Sequence, residues 1–262
     1  MPRRKRLINF IYVTCLISTL IVPMVVKAEE TDLNCLGPVV PYCELPLEER
    51  LLLPEFLLHD FPVGEFAKPQ TDIFLETPIK LIDGIRNIYP HVDPKHEIAK
   101  RPLEMALSYY HELKDQLHKT NLLGIINYGE DSNTPRLYLI NMETGAVERL
   151  IVAHGEGSDP KKTGIPTLFS NVVNSHQSSI GAMITAETYN GKNGYSLRID
   201  GIEKSNSKIR ERAIVFHGSK YVDEKFDPIG MSWGCPAMNY KVSTDIINKI
   251  KGGTLFYSWY NQ

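Results

Sequence analysis

From Thr120 onward the apolar residues arrive in short bursts separated by turn residues, which restricts this part of the chain to a mainly β architecture. Residues 122–128, 137–142 and 146–153 are rich in Ile, Leu, Val and Tyr, side chains that suit a pleated, half-buried surface. Glu143-Thr144-Gly145 supplies a tight turn, so the second and third runs read as a hairpin. Further strands fit 182–189, 195–199, 213–216 and 254–258. Helices flank the strands. Residues 102–118 place Leu103, Ala106, Leu107, Tyr110, Leu113 and Leu117 at helical spacing, with Pro102 in the first turn. Residues 242–250 place Val242, Ile246, Ile247 and Ile250 on one face, and Gly252-Gly253 stops that helix. The stretch 155–179 is polar and reads as a loop.

The first 100 residues behave differently. Arg3, Arg4, Lys5 and Arg6 precede an uncharged apolar run from Leu7 to Val26, and Val26-Lys27-Ala28 has the form of a cleavage site. Residues 1–28 therefore read as a signal peptide, with an uncleaved membrane anchor as the alternative. Cleavage leaves 24 basic against 31 acidic side chains, a formal charge of −7. An acidic, exported chain is expected, in the periplasm or cell envelope, with no affinity for nucleic acid. Membrane contact is expected only if the first segment stays attached. Residues 29–100 carry prolines at 38, 41, 46, 54, 62, 69, 78, 90 and 94. They read as an irregular arm packed on the main domain, with a Pro54-interrupted helix at 48–58 its only regular element. Cys35 and Cys43 flank Gly37, Pro38 and Pro41, and a local disulfide is expected between them.

That pairing leaves Cys235 as an odd thiol, a candidate nucleophile. An apolar strand runs into His217-Gly218, and fourteen residues later come Ser232-Trp233-Gly234-Cys235-Pro236. A thiol needs a base or a positive partner to ionise near neutral pH, and His217 is placed to take its proton. Gly234 lets the backbone approach a ligand, and the N–H groups of Gly234 and Cys235 are candidate oxyanion donors. Ser232 is expected to hydrogen-bond near the cysteine, and Trp233 to wall the cleft or to fill core.

These residues resemble the L,D-transpeptidase catalytic domain (YkuD-like) family of cell-wall enzymes. The family pattern is a histidine, a gap of about fourteen to seventeen residues, then Ser or Thr, a variable residue, Gly and Cys. The stretches RLYLINMETGAVERLIVAHGEGSD and FSNVVNSHQSSIGAMITAETYNGKNGYSLRIDG resemble its murein-associated branch, and the likeness runs over about residues 101–258. The chain departs from many members in having Trp233 before the Gly-Cys pair, and Pro236, Ala237 and Met238 after it in place of an arginine.

The resemblance implies a β-sandwich catalytic domain over 101–262. It implies a Cys235 acyl-enzyme formed at the diamino acid–D-alanine bond of a peptidoglycan stem peptide, with His217 as base and the Gly218 carbonyl orienting it. Transfer to an amine gives a 3→3 cross-link or D-amino acid exchange. Transfer to water makes the chain a carboxypeptidase, or an amidase of another wall linkage. No metal or cofactor is needed. Arg198 is a candidate clamp for a stem-peptide carboxylate, and Tyr195 and Glu187 are candidate cleft residues. His154 and His176 are candidates to flank the site, with turn or surface roles favoured, and His91 and His96 match no common metal spacing. A non-catalytic wall-binding protein is the competing class, against which the joint presence of Cys235 and His217 argues. A zinc hydrolase built on His154, His217 and Cys235 would lack any HExxH-like helix. Nothing demands more than a monomer.

Overall fold

The computed structural model describes residues 70–260. The signal segment, the Cys35–Cys43 pair, the helix at 48–58 and the first part of the arm lie outside the described residues.

Eight strands form one sheet: β1 Lys119–Asn127, β2 Leu137–Asn141, β3 Val147–Leu150, β4 Gly181–Gly191, β5 Gly194–Gly201, β6 Val215–Ser219, β7 Ala237–Asn239 and β8 Thr254–Trp259. Their order is β3-β2-β1-β8-β4-β5-β6-β7. Neighbours are antiparallel except β1–β8 and β6–β7, which run parallel. The helices are α1 Ile85–Ile88, α2 Lys100–Leu113 and α3 Tyr240–Ile250.

Alternation along each strand sends side chains to two separate cores. Leu123, Ile125, Tyr138, Ile140, Leu255 and Tyr257 join α2 on one face. Ile126, Leu137, Leu139, Met183, Leu197, Phe216 and Phe256 join α3 on the other. The second cluster gathers residues from strands far apart in the sheet, so the sheet curls over that face. Gly124 makes this packing possible, because a Cβ there would lie 2.1 Å from the Phe256 ring.

Both long helices follow from their sequence. The described part of the arm seals the outer side of α2: Ile82 N–H donates to Ser108 Oγ at 3.0 Å and Ile79 N–H to Tyr109 Oη at 3.2 Å. Ile85, Val92 and Ile98 are buried there. α3 is capped by Asn239, whose side chain accepts the Lys241 N–H at 3.0 Å, and it buries Ile246, Ile247 and Ile250.

Two differences from the sequence reading bear on the site. The strand expected at 213–216 is displaced to Val215–Ser219, so His217 lies inside β6 and not beyond its end. Ala213 takes a left-handed backbone conformation (φ 52°), which delays the strand start, and β7 pairs along its far end. The run at 146–153 stays beside β2 only to Leu150. The chain then leaves, and Ala153 N–H donates to Ala237 O at 2.8 Å.

Candidate active site

β6 and β7 run parallel with His217 opposite Ala237, two residues beyond Cys235. Phe216 points into the α3 core, so His217 faces the other side of the sheet together with its partner Ser196. The imidazole is 2% exposed. Its Nδ1 donates to the backbone carbonyl of Gly218 at 3.0 Å. That bond fixes the tautomer, since a carbonyl can only accept, and leaves Nε2 as an unprotonated base. Burial holds the His217 pKa below its ordinary value, against the Gly218 hydrogen bond, and keeps the ring neutral.

The loop carrying Cys235 is built by short-range hydrogen bonds. Ser232 Oγ donates to Cys235 O at 2.7 Å and accepts the Gly234 N–H at 3.1 Å. Ser232 thus acts on the loop and not on the thiol. The Gly234 N–H, an expected oxyanion donor, is thus engaged by Ser232 in this structure. Gly234 has φ 114°, and a Cβ there would lie 2.7 Å from both Gln177 O and Ile214 Cδ1. Only glycine fits. Gly155 packs against its far side: a Cβ at Gly155 would lie 2.8 Å from Gly234 Cα and 2.2 Å from His176 O.

The half-buried thiol of Cys235 points to the Ala213 carbonyl, at 3.6 Å. The resting sulfur therefore contacts the segment just before β6. Burial pushes its pKa up to about 11, against a hydrogen bond from the Val215 backbone and the charge of Arg212. Tyr128, Tyr189 and Tyr221 also lie within electrostatic range of the sulfur.

Two arginines that the sequence reading passed over organise the polar segment 154–179. Arg212 donates to Ser170 O, to Gln177 O, to Ser179 Oγ at 2.8 Å and to Ser175 Oγ at 3.2 Å. It therefore clamps the strand of loop that packs on Gly234, and its charge acts on the sulfur. Arg136, with no exposed surface, donates to Val152 O at 3.2 and 3.1 Å, to Glu130 O at 2.7 Å and to Gly164 O at 3.4 Å. Its Nη2 also meets His154 Nδ1 at 2.7 Å. Because guanidinium only donates, His154 carries its proton on Nε2, which faces Asp159 Oδ2 at 3.6 Å. The His154 carbonyl in turn accepts the Ser232 N–H at 2.9 Å. His154 thus acts through the cysteine loop.

Burial, then the neighbouring Arg136 charge, push the His154 pKa down to about 4, against the opposing pull of Asp159. A folded-state value below the unfolded one means that the unfolded chain binds the extra proton first. Stability is then complete above the unfolded value of about 6.5 and falls as pH drops toward the folded value. Between pH 7 and pH 4 we expect His154 to contribute a loss of about 3 kcal/mol. Urea unfolding at the two pH values measures it, with His154→Gln showing a smaller pH-dependent loss than the parent. Equal losses in both chains would remove His154 as the cause.

The remaining candidates are placed as follows. Arg198 lies on the His217 side of β5, but its guanidinium pairs with Glu187 at 3.2 Å and covers the Tyr189 ring at 4.3 Å. Glu187 also binds Arg210 at 2.7 and 3.0 Å, and Arg210 binds Asp200. Burial works to raise the Glu187 pKa, yet the Arg210 hydrogen bonds and the two positive charges hold it below the ordinary carboxylate range. This is a buried ion network, and the expected Arg198 carboxylate clamp is already occupied from within. Tyr195 packs on the α3 side of the sheet, where its hydroxyl donates to Asn248 at 2.9 Å. The structure does not bring it to His217. Trp233 is exposed, not core. His91 bonds Met142 O at 3.0 Å. Among the described residues no three His, Cys, Asp or Glu side chains converge, and no helix is long and apolar enough to cross a membrane.

A family model described as the L,D-transpeptidase catalytic domain matches residues 94–259. No curated protein matches the chain. Among solved structures, an L,D-transpeptidase from Mycobacterium smegmatis is 10% identical with a TM-score of 0.35, over 53% of this chain and 59% of that one. An L,D-transpeptidase structure in complex with imipenem is 11% identical with a TM-score of 0.34, over the same shares. An L,D-transpeptidase from Stackebrandtia nassauensis is 12% identical with a TM-score of 0.34, over 68% of this chain and 75% of that one. The chain thus spans about 59% of the length of the first two.

Proposed function

Because this chain belongs to the L,D-transpeptidase catalytic-domain family, we propose that it is an exported peptidoglycan L,D-transpeptidase acting through a Cys235 thioester. The observation that carries this reading is the His217 tautomer: Nδ1 is committed to Gly218 O, so Nε2 is free to accept a proton on the strand beside the cysteine loop.

The thiol is almost entirely protonated at neutral pH, since burial holds its pKa near 11. Proton removal therefore has to accompany attack. As a stem peptide enters, the sulfur leaves the Ala213 carbonyl, His217 Nε2 takes its proton, and the sulfur attacks the carbonyl of the diamino acid. The Cys235 N–H and the charge of Arg212 favour the negative charge that develops. His217 then protonates the amine of the departing D-alanine. An amine acceptor regenerates the thiol and leaves a new peptide bond. Water in its place makes the product a tripeptide.

Mass spectrometry of the full chain incubated with a disaccharide-tetrapeptide tests the reading. The expected result is release of D-alanine with an acyl adduct on Cys235, and one molecule of a carbapenem bound covalently to the same sulfur. An intact tetrapeptide together with an unmodified Cys235 in both incubations would overturn it.

A further inference from the structure

Away from the cysteine loop, a cavity of about 610 Å³ opens between the start of α2, the end of β8 and the residues that follow β5. Its volume lies in the range of small-molecule sites. A row of aromatic rings lines it. The centroids of Tyr109 and Tyr257 are 4.9 Å apart, and those of Tyr257 and Trp259 6.3 Å.

Opposite charges line the same cavity. Glu203 is only 4% exposed, and it accepts hydrogen bonds from Tyr109 Oη and, at 3.0 Å, from Ser205 Oγ. A carboxylate offers roughly four lone-pair sites, so two donors leave it room for another. Arg101, in the first turn of α2, is exposed and forms no ion pair among the described residues. The N-cap of that helix is Ala99, which supplies no side-chain cap, so this helix end keeps its attraction for an anion.

Tyr257 links the two charges. It is 8% exposed, yet its hydroxyl makes no hydrogen bond among the described residues, whereas that of Tyr109 is used twice. Burial, then Glu203, push the Tyr257 pKa up to about 12, against the pull of Arg101. Both charges therefore act on this hydroxyl, and it remains a donor at neutral pH. A buried hydroxyl without a partner is costly, and a ligand group that takes its hydrogen bond removes that cost.

A simple cation would suit Glu203 and the rings but would be repelled by Arg101. A simple anion would meet the reverse. A zwitterion satisfies both. We propose that this cavity binds a free amino acid or dipeptide, with its ammonium on Glu203 against the aromatic rings and its carboxylate on Arg101 and the Tyr257 hydroxyl. The site uses none of the residues of the cysteine loop, and binding there does not require the thioester reading.

The chain contains two tryptophans, so Trp233→Phe leaves Trp259, at the cavity, as the sole indole emitter. The full chain carrying this substitution is titrated with alanine and with dialanine while its emission is followed. Calorimetry on the parent chain measures the same binding. We expect a saturable change, with dialanine the better fit to the volume. N-acetyl-dialanine and dialanine amide, each lacking one end charge, should bind about tenfold more weakly. Arg101→Gln, Tyr257→Phe and Glu203→Gln should each weaken dialanine about tenfold, with thermal melts confirming that the variants are folded. Arg101→Gln changes an exposed side chain and Tyr257→Phe keeps the ring, so these two preserve the test if Glu203→Gln unfolds. Binding of dialanine that is unchanged in folded Arg101→Gln and Tyr257→Phe overturns the site. So does N-acetyl-dialanine, or a neutral disaccharide, binding as tightly as dialanine. Absence of binding by both emission and calorimetry up to about 10 mM of either zwitterion overturns it as well.

Discussion

Replacing Cys235 by alanine is expected to abolish turnover of the tetrapeptide, and replacing His217 by alanine to reduce it by about four orders of magnitude. The second figure follows from the thiol itself. With a pKa near 11, only about one sulfur in ten thousand is ionised at pH 7 without a base to share the proton. Cys235→Ala combined with His217→Ala should be no worse than Cys235→Ala alone, because groups that act as a unit do not contribute additively. A sharper signature lies in the pH dependence. The residual rate of His217→Ala should climb about tenfold per pH unit up to the thiol pKa, since hydroxide replaces the missing base. Product release followed by mass spectrometry from pH 6 to pH 10 reads this slope. A flat profile in His217→Ala, or tetrapeptide turnover that survives in Cys235→Ala, would remove the pair from the mechanism.

Arg136→Met is expected to be the most destabilising single change remote from the cysteine, at about 3–5 kcal/mol. The side chain is completely buried, and its guanidinium satisfies carbonyls of Val152, Glu130 and Gly164 along with the His154 ring. Methionine fills similar space and leaves those acceptors without a donor in a dry interior. Arg136→Lys should recover little, because one ammonium cannot reproduce the fork that spans these partners. Urea midpoints for the three chains measure the effect. A midpoint for Arg136→Met within 1 kcal/mol of the parent would show that the hub is dispensable.

The candidate pair stood out in the sequence because both members are in unusual company: an odd cysteine after a glycine, and a histidine after an apolar run. The hairpin of β2 and β3 was equally legible, since alternation and the Glu143-Thr144-Gly145 turn act over a few residues. What escaped depends on contacts between distant segments. β7 is three residues long and follows a proline, so it has no alternation to read. Its existence depends on pairing with β6. Arg212 lies in the charged run 208–212, which looks like solvated surface until the 170–179 loop folds over it. The loop's serines and asparagines gave one available signal, because such residues bond backbone groups that strands leave unpaired. Arg198 illustrates a long-range partner that spacing does not reveal. Its position suggested a ligand contact, but the β4 irregularity between Thr185 and Thr188 supplies Glu187 as an internal partner.

The contact between the Cys235 sulfur and the Ala213 carbonyl bears on how this protein ages. Oxidants and alkylating agents consume thiolate far faster than thiol. A sulfur that keeps its proton until a substrate displaces it offers such reagents almost nothing to attack. Slow reaction with peroxide is therefore expected of this chain, because burial keeps the proton on a sulfur that already rests against the Ala213 carbonyl.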